Sequence, residues 1–179
     1  MSSLNDLMKL LPPPSSAVES ADAVAWDRCE QSFGTALPLD YKQFVTIYGT
    51  GAIDGFLWIL NPFSKNRYLN LLEEGRAKLE ALEALIHETV PYPLYPKPNG
   101  LLPCGVSDNG DVIFWLCSGH PSEWNLVLNE GRGPRWREYK LSLTDFLIQL
   151  ISRTLIVDIF PNDFPSKEPA FFQYGICVQ

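Results

Sequence analysis

Apolar residues recur at helical spacing in five stretches of the chain, with shorter β-type runs between them. The first helical stretch, Leu4 to Leu11, runs into three consecutive prolines, Pro12 to Pro14. Because proline lacks a backbone N–H and clashes with the preceding turn, a helix cannot continue through them. We therefore predict a separate leading segment over residues 1–14 and a single domain over residues 15–179.

Capping signals predict the bounds of the next two helices. Ser16 and Glu19 have the spacing of a capping box, and Gly34 stands where a left-handed C-cap belongs. We therefore expect a second helix that begins after Ser16 and ends at Gly34. Pro38 suits the first turn of a third helix that ends at Gly49. The apolar positions that give these helices a buried face are Val18, Ala21, Ala25, Cys29 and Phe33 in the second helix and Tyr41, Phe44, Val45 and Tyr48 in the third.

The middle of the chain predicts a strand, a long helix and an irregular connection. Residues 53–60 are apolar and aromatic enough for one strand, and residues 68–89 keep helical spacing throughout. Residues 91–98 contain four prolines. Such a segment can be neither a helix nor a central strand, so we expect it to run extended over the surface.

The second half of the chain has the rhythm of an antiparallel meander. Asn109-Gly110 is a strong hairpin signal, and residues 130–134 form a second turn between strand-like runs. Ser142 is expected to begin the last helix. The predicted strands of the meander cover residues 101–106, 111–117, 124–129 and 135–140.

Consecutive hairpins with helices before and after them predict an α+β domain, in which a central antiparallel β-sheet (a meander) is flanked by α-helices.

The tail over residues 160–179 is open to two interpretations. Residues 170–178 are rich in β-forming residues. They are either an added strand or an aromatic segment laid on the core.

Composition supports one folded domain. The chain has 179 residues, of which 46% are hydrophobic, including five Trp, seven Tyr and ten Phe. No stretch approaches the roughly 20 apolar residues needed to cross a bilayer, and no signal peptide is evident at the N-terminus. We expect a soluble, cytoplasmic protein.

Its four cysteines lack paired spacing and are expected to be reduced and buried: Cys29, Cys104, Cys117 and Cys177.

The charge balance limits the kinds of partner. The formal net charge is −7, and residues 1–60 hold seven acidic against three basic side chains. Binding to a phosphate backbone requires clustered Lys and Arg, so this balance opposes a nucleic-acid partner. It suits a basic protein partner, because complementary fields speed encounter.

Residues able to do chemistry are few. His87 lies on the long helix without a metal-binding companion one turn away, and His120 follows Cys117 by three residues. A Cys/His zinc site needs about four ligands. We therefore predict no metal, no cofactor and no catalytic residue.

An alternative hypothesis is a small enzyme with Cys104 or Cys117 as the nucleophile and His120 as the base. Such a centre also needs a group to orient the histidine, for which Asp108 and Asp111 are available in a nearby hairpin. Nothing in the sequence marks either aspartate for that task.

Two further motifs have ordinary structural explanations. Gly49-Thr-Gly51 follows a helix and precedes a strand, which predicts a helix cap and a turn and not a phosphate-binding loop. Arg132, Arg135 and Arg137 surround Trp136 and could contact nucleic acid. On a strand, however, Arg135 and Arg137 would share a solvated face while the Trp136 ring covers the core, and we favour that interpretation.

Several motifs in order resemble the SUKH superfamily, which includes the yeast cell-wall assembly regulator and many bacterial immunity proteins. The first is Glu-x-x-Phe-Gly-x-x-Leu-Pro, the second is a Tyr-x-x-Phe helix that ends at Gly-x-Gly, and the third is an Asn-Gly-Asp hairpin that leads into a Phe-Trp strand. The residues that carry the resemblance are Trp26, Glu30, Phe33, Gly34, Leu37, Pro38, Tyr41, Phe44, Gly49, Gly51, Asn109, Gly110, Asp111, Phe114, Trp115 and Trp124.

The resemblance covers residues 20–150 and leaves the tail after residue 160 peripheral. It implies an α+β domain without catalysis, since bacterial members of the family typically bind and block a co-encoded toxin, often an enzyme that acts on nucleic acid. The motif residues act as caps, turns and core, so we interpret them as determinants of the fold and not as a toxin-binding site.

The resemblance predicts an immunity protein that occludes the active site of a toxin. An acidic face with aromatic anchors would make the contact, and the chain would be a monomer or weak homodimer that binds neither nucleic acid nor membrane. A scaffold or regulator of the same superfamily is the alternative. The candidate partner-binding residues are Asp54, Trp58 (which could equally be core), Asp108, Asp111 and Glu123.

Overall fold

The structure is a computed structural model that describes residues 4–85 and 90–175. These residues form five α-helices, one 3₁₀ turn at Pro121–Glu123 and seven strands. The helices are α1 (Leu4–Leu10), α2 (Ala23–Phe33), α3 (Leu39–Tyr48), α4 (Leu71–Glu83) and α5 (Leu143–Ile151). The strands are β1 (Gly51–Ile53), β2 (Leu57–Ile59), β3 (Leu101–Ser107), β4 (Val112–Leu116), β5 (Asn125–Asn129), β6 (Trp136–Tyr139) and β7 (Phe171–Gln173).

The strands form one antiparallel sheet in the order β6-β5-β4-β3-β2-β1-β7. This confirms the predicted α+β class and the predicted meander. Of the two interpretations of the tail, the added strand is correct for β7, which pairs with β1 at one edge of the sheet. Residues 176–179, including Cys177, lie outside the described residues.

Helices cover both faces of the sheet. Ile113 and Trp115 of β4 belong to the main core, which also contains buried side chains of α1, α2, α3 and α5. Val112 and Phe114 point to the opposite face, where Leu79 and Leu82 of α4 pack on a smaller core. This alternation follows from the two-residue period of a strand.

The predicted start of the second helix is wrong. Helix α2 begins at Ala23, and the Asp22 carboxylate caps it by accepting a hydrogen bond from the backbone N–H of Ala25 at 2.9 Å. Glu19 has a φ of 56°, which interrupts a helix, and its carboxylate accepts from the Thr50 hydroxyl at 2.7 Å. The Glu19 side chain therefore serves a distant part of the chain and not a capping box with Ser16.

The single strand predicted over residues 53–60 is a hairpin. Strands β1 and β2 pair so that Ala52 lies opposite Trp58, and the chain reverses at Asp54 and Gly55, whose φ values are 51° and 64°. Asp54-Gly55 is the same kind of hairpin signal as Asn109-Gly110, but it lies inside an apolar run that has the composition of one continuous strand.

The long helix is shorter than predicted. Helix α4 starts after Asn70, whose side-chain oxygen accepts from the backbone N–H groups of Leu72 and Glu73 at 2.9 and 3.2 Å. It ends at Glu83, and residues 86–89 with His87 lie outside the described residues. The helix therefore begins where the Asn70 side chain caps it, later than the start that apolar spacing predicted.

The first glycine of the Gly-x-Gly motif caps a helix, as predicted, and both glycines also lie close to distant parts of the chain. Gly49 ends α3 with a φ of 70°, and a Cβ at this position would overlap the backbone of Val18. A Cβ at Gly51 would lie 2.6 Å from the Phe171 ring. Glycine is required here because other parts of the backbone approach too closely for a side chain.

Helix α1 packs into the main core. Leu7 and Leu11 are 0% exposed. The Tyr48 hydroxyl of α3 donates a hydrogen bond to the backbone carbonyl of Leu11 at 2.6 Å, in a buried position. The leading segment therefore shares its core with the rest of the described chain.

Candidate partner-binding surfaces

Trp58 and Asp108 lie together on the sheet. Leu57 and Ile59 are buried in the main core, so Trp58 between them points to the opposite face. It is partly buried, and its indole N–H donates to the exposed Asp108 carboxylate at 2.8 Å. Trp58 is thus intermediate between the two predicted environments, core and surface.

An apolar row extends from Trp58 along the same face. Val106, Trp58, Ala52 and Phe172 are direct neighbours on β3, β2, β1 and β7. The Phe172 side chain is 43% exposed, whereas Ala52 is 0% exposed. We name Trp58, Val106, Asp108 and Phe172 the sheet-face patch.

The carboxylates of Asp54 and Asp111 have partners within the chain. Asp54 accepts from the backbone N–H groups of Ser166 and Ala170 at 2.7 and 2.9 Å, which fixes the segment before β7. Asp111 is 3% exposed and accepts from the Ser107 hydroxyl at 2.6 Å and the Gly131 N–H at 2.9 Å. The Asp111 carboxylate is therefore buried in the hairpin and contributes no exposed charge to the surface.

Glu123 and His120 organise the 3₁₀ turn. The Glu123 carboxylate accepts from the backbone N–H of His120 at 3.3 Å, and the His120 ring nitrogen Nδ1 lies 2.7 Å from the Ser122 hydroxyl. Glu123 itself is exposed. The structure thus gives His120 a capping role and leaves Glu123 accessible to a partner.

The thiols are in unreactive environments. Burial raises the pKa of Cys117 to about 12 and that of Cys29 to about 11, and it raises the pKa of Cys104 as well. A cysteine nucleophile acts as the thiolate, so a raised pKa opposes that role. In residues 4–85 and 90–175, no group of three or more His, Cys, Asp or Glu side chains is arranged to hold a metal.

Two of the three arginines of the basic cluster at the start of β6 form ion pairs with acidic neighbours. Arg135 bonds the Glu130 carboxylate at 2.6 Å, and Arg137 bonds the Asp158 carboxylate at 2.7 Å. The Trp136 ring lies 6.0 Å from the Phe114 ring in the smaller core. This matches the predicted half-buried strand, in which the arginines and the tryptophan face opposite ways.

A groove that the sequence did not predict lies on the face of the sheet that carries α1, α2, α3 and α5. It has a volume of about 690 Å³ and runs between α1, α2 and α3. A second recess of about 540 Å³ shares Leu4, Leu39 and Gln43 with it and continues to Glu123 and Trp124. We name the two together the helix groove. Its apolar lining consists of Leu4, Ala21, Ala23, Trp26, Leu39, Ile47, Trp124 and Leu141.

Acidic side chains predominate in the lining of the helix groove. Its acidic residues are Asp27, Asp40, Glu123 and Asp145, and its basic residues are Lys42 and Lys140. The Lys42 ammonium lies 2.7 Å from the Glu30 carboxylate, which offsets its charge.

Two polar atoms of groove-lining residues have no hydrogen-bond partner among the described residues. They are the indole Nε1 of Trp26 and the hydroxyl Oγ1 of Thr144, both buried. Trp26 is 7% and Thr144 2% exposed. A third such atom, the indole Nε1 of Trp115, lies in the main core and lines neither recess.

The fold defines a class of α+β domain with a central antiparallel sheet and helices on both faces. The sequence profile of the SMI1 / KNR4 family (SUKH-1) matches residues 20–149, more than half of the chain. The chain belongs to this family, which confirms the superfamily that the motifs indicated. Among curated proteins, no match to the chain was found.

Within the described residues, no helix is long and apolar enough to cross a membrane.

Proposed function

We propose that this protein is an immunity protein that binds a bacterial toxin in the cytoplasm and neutralises it by covering its active site. The observation that carries the proposal is membership of the SMI1 / KNR4 family (SUKH-1), a family of immunity and regulatory proteins. Members of this family are generally non-catalytic. Binding, and not chemistry, is therefore the proposed mode of action.

The chemistry of the described residues supports a binding role. The raised pKa values of Cys29 and Cys117 oppose a thiolate nucleophile. The polar contacts of His120 are with the neighbouring residues Ser122 and Glu123. The enzyme hypothesis that needed these groups gains no support.

Charge supports a toxin that acts on nucleic acid. Such an enzyme must hold a phosphate backbone, which requires a basic surface. A protein with a net charge of −7 complements that surface and would be drawn to the toxin's own substrate site. We further propose that the chain is a monomer or weak homodimer and acts on neither nucleic acid nor membrane directly.

The proposed contact residues fall on two sides of the molecule. Trp58 and Asp108 are in the sheet-face patch, whereas Glu123 lines the helix groove on the opposite side of the sheet. Asp54 is partly buried, and its carboxylate already accepts two backbone hydrogen bonds. A single interface of ordinary size, about 800 Å² on each partner, would use one side.

The test is protection against the toxin domain that we expect the neighbouring reading frame to encode. We expect cells that express this domain to survive only when the immunity protein is co-expressed. We also expect the purified protein to abolish the enzymatic activity of the domain at one-to-one stoichiometry. An unrelated protein of equal net charge serves as the control, because it tests whether acidity alone protects.

Two results would contradict the proposal. Cell death despite co-expression, together with the absence of a complex, would remove the immunity function. A stable complex that leaves the toxin fully active would instead favour the scaffold or regulator found in the same family.

A further inference from the structure

We propose that the helix groove is the surface that receives the toxin, and that its occupant is a basic segment of the toxin with one apolar anchor side chain. This inference rests on the proposed function and adds the location and chemistry of the contact. It favours the side of the sheet that carries Glu123 over the sheet-face patch.

The shape and lining of the groove provide a place for an apolar anchor. Leu39, the first residue of α3, is 64% exposed and lines both recesses. Trp26 and Ile47 line the larger recess beside it. A partner side chain placed here would remove apolar surface of Leu39 from water, which is the largest favourable contribution at most protein interfaces.

The charge of the groove selects a basic occupant. Asp27 lines one recess, and Glu123 lines the other, so each recess carries an acidic group together with its apolar surface. Lys42 is held by Glu30, which leaves Lys140 as the other basic residue of the lining. Lys or Arg on either side of an apolar anchor would match this arrangement.

The sheet-face patch matches a basic occupant less well, because Asp108 is the one acidic residue among its four members. The indole N–H of Trp58 already donates to Asp108 at 2.8 Å, so its main polar group has a partner within the chain. Its remaining members, Val106 and Phe172, offer apolar surface without charge.

The experiment measures the affinity of purified variants for the toxin domain encoded by the neighbouring reading frame. Leu39→Lys and Asp27→Lys each place a positive charge on an exposed position of the groove. Tyr68→Lys is the matched control for the first, because Tyr68 is also 64% exposed but lies outside the groove. Glu80→Lys, on the exposed face of α4, is the control for the second. Thermal unfolding checks that every variant is folded.

We expect each groove variant to weaken binding by about tenfold or more and both controls to stay within about twofold of the wild type. Added salt should weaken wild-type binding more steeply than binding of Asp27→Lys, because the variant has lost one attractive charge.

Other outcomes separate the two proposals. If the wild type binds and neutralises the toxin but both groove variants bind equally well, the groove is not the contact surface, although the immunity function stands. Loss of binding in Asp108→Lys alone would move the contact to the sheet-face patch. If the wild type itself fails to bind, the proposed function and this inference both fall.

Discussion

The Glu30 carboxylate accepts a hydrogen bond from the backbone N–H of Leu37 at 2.8 Å, across the turn that joins α2 to α3. Gly34, with a φ of 73°, reverses the chain between these two residues. The same carboxylate oxygen binds the Lys42 ammonium at 2.7 Å. The spacing of Glu, Gly and Leu in the family motif therefore has a direct physical explanation, since the acid closes the turn that the glycine makes.

Replacing Glu30 should test this closure. We expect Glu30→Ala to lower the free energy of unfolding by about 1–3 kcal/mol, because the N–H of Leu37 loses a charged acceptor next to a side chain that is 3% exposed. Glu30→Gln keeps an oxygen acceptor and should cost less. Urea denaturation measures both, with Glu80→Ala as a surface control. Equal stability of the alanine variant and the wild type would refute the explanation.

Tyr48 provides a test of how α1 is attached. Tyr48→Phe removes the hydroxyl that donates to the Leu11 carbonyl and keeps the buried ring. The free energy of unfolding should fall by about 1 kcal/mol, which is the usual net contribution of a buried hydrogen bond to stability. Hydrogen exchange of the α1 amides should quicken, because this bond ties the end of α1 to α3. Exchange that is unchanged in residues 4–11 would show that apolar packing alone holds the helix.

Stability should depend on the ionisation of Glu19. Burial raises the pKa of this carboxyl, but hydrogen bonds from the Lys65 N–H, Thr50 and Ser64 more than offset it, so the pKa is lowered from its ordinary value of 4.5. A pKa lowered in the folded state means that Glu19 stabilises the fold above the unfolded pKa. This contribution is lost as pH falls below about 4.5 and through the folded value.

The check is urea denaturation of the wild type and Glu19→Gln over a series of pH values. The stability difference between them should be largest near neutral pH and should shrink on acidification. A difference that does not change with pH would mean that the charge of Glu19 is irrelevant and only its shape matters.

The thiols should resist alkylation in the folded protein. Because burial raises the pKa of Cys29 to about 11 and of Cys117 to about 12, little thiolate is present near pH 8. Iodoacetamide followed by peptide mass spectrometry should find Cys29, Cys104 and Cys117 unmodified until denaturant is added. Rapid modification of Cys117 in the native protein would reopen the hypothesis of a cysteine nucleophile.

Local signals in the sequence predicted much of the fold. Gly34, Ser142 and the Asn109-Gly110 turn each act through neighbours a few residues away, so their roles could be inferred without a structure. The Glu19 carboxylate instead binds Thr50 and the backbone of Lys65, and no short-range pattern records such partners.

The site was harder to predict for the same reason. The helix groove brings together Leu4, Leu39 and Glu123, which are far apart in the sequence and meet only after the helices have packed on the sheet. Trp58 and Asp108 were singled out from hairpin positions, and their mutual hydrogen bond joins β2 to the turn after β3. The sequence could indicate which residue types were available but not which of them would share a surface.

Strand β7 has a consequence for how this protein can be divided. The stretch that defines the family, residues 20–149, excludes α1, the last residues of α5 and β7. A fragment trimmed to that stretch would leave the main-chain groups of β1 without their outer neighbour and would open the core where Leu7 and Leu11 now lie. Bare strand edges recruit one another, so such a fragment would be prone to self-association. The smallest fragment expected to fold without self-associating is therefore longer than the stretch that the family profile matches.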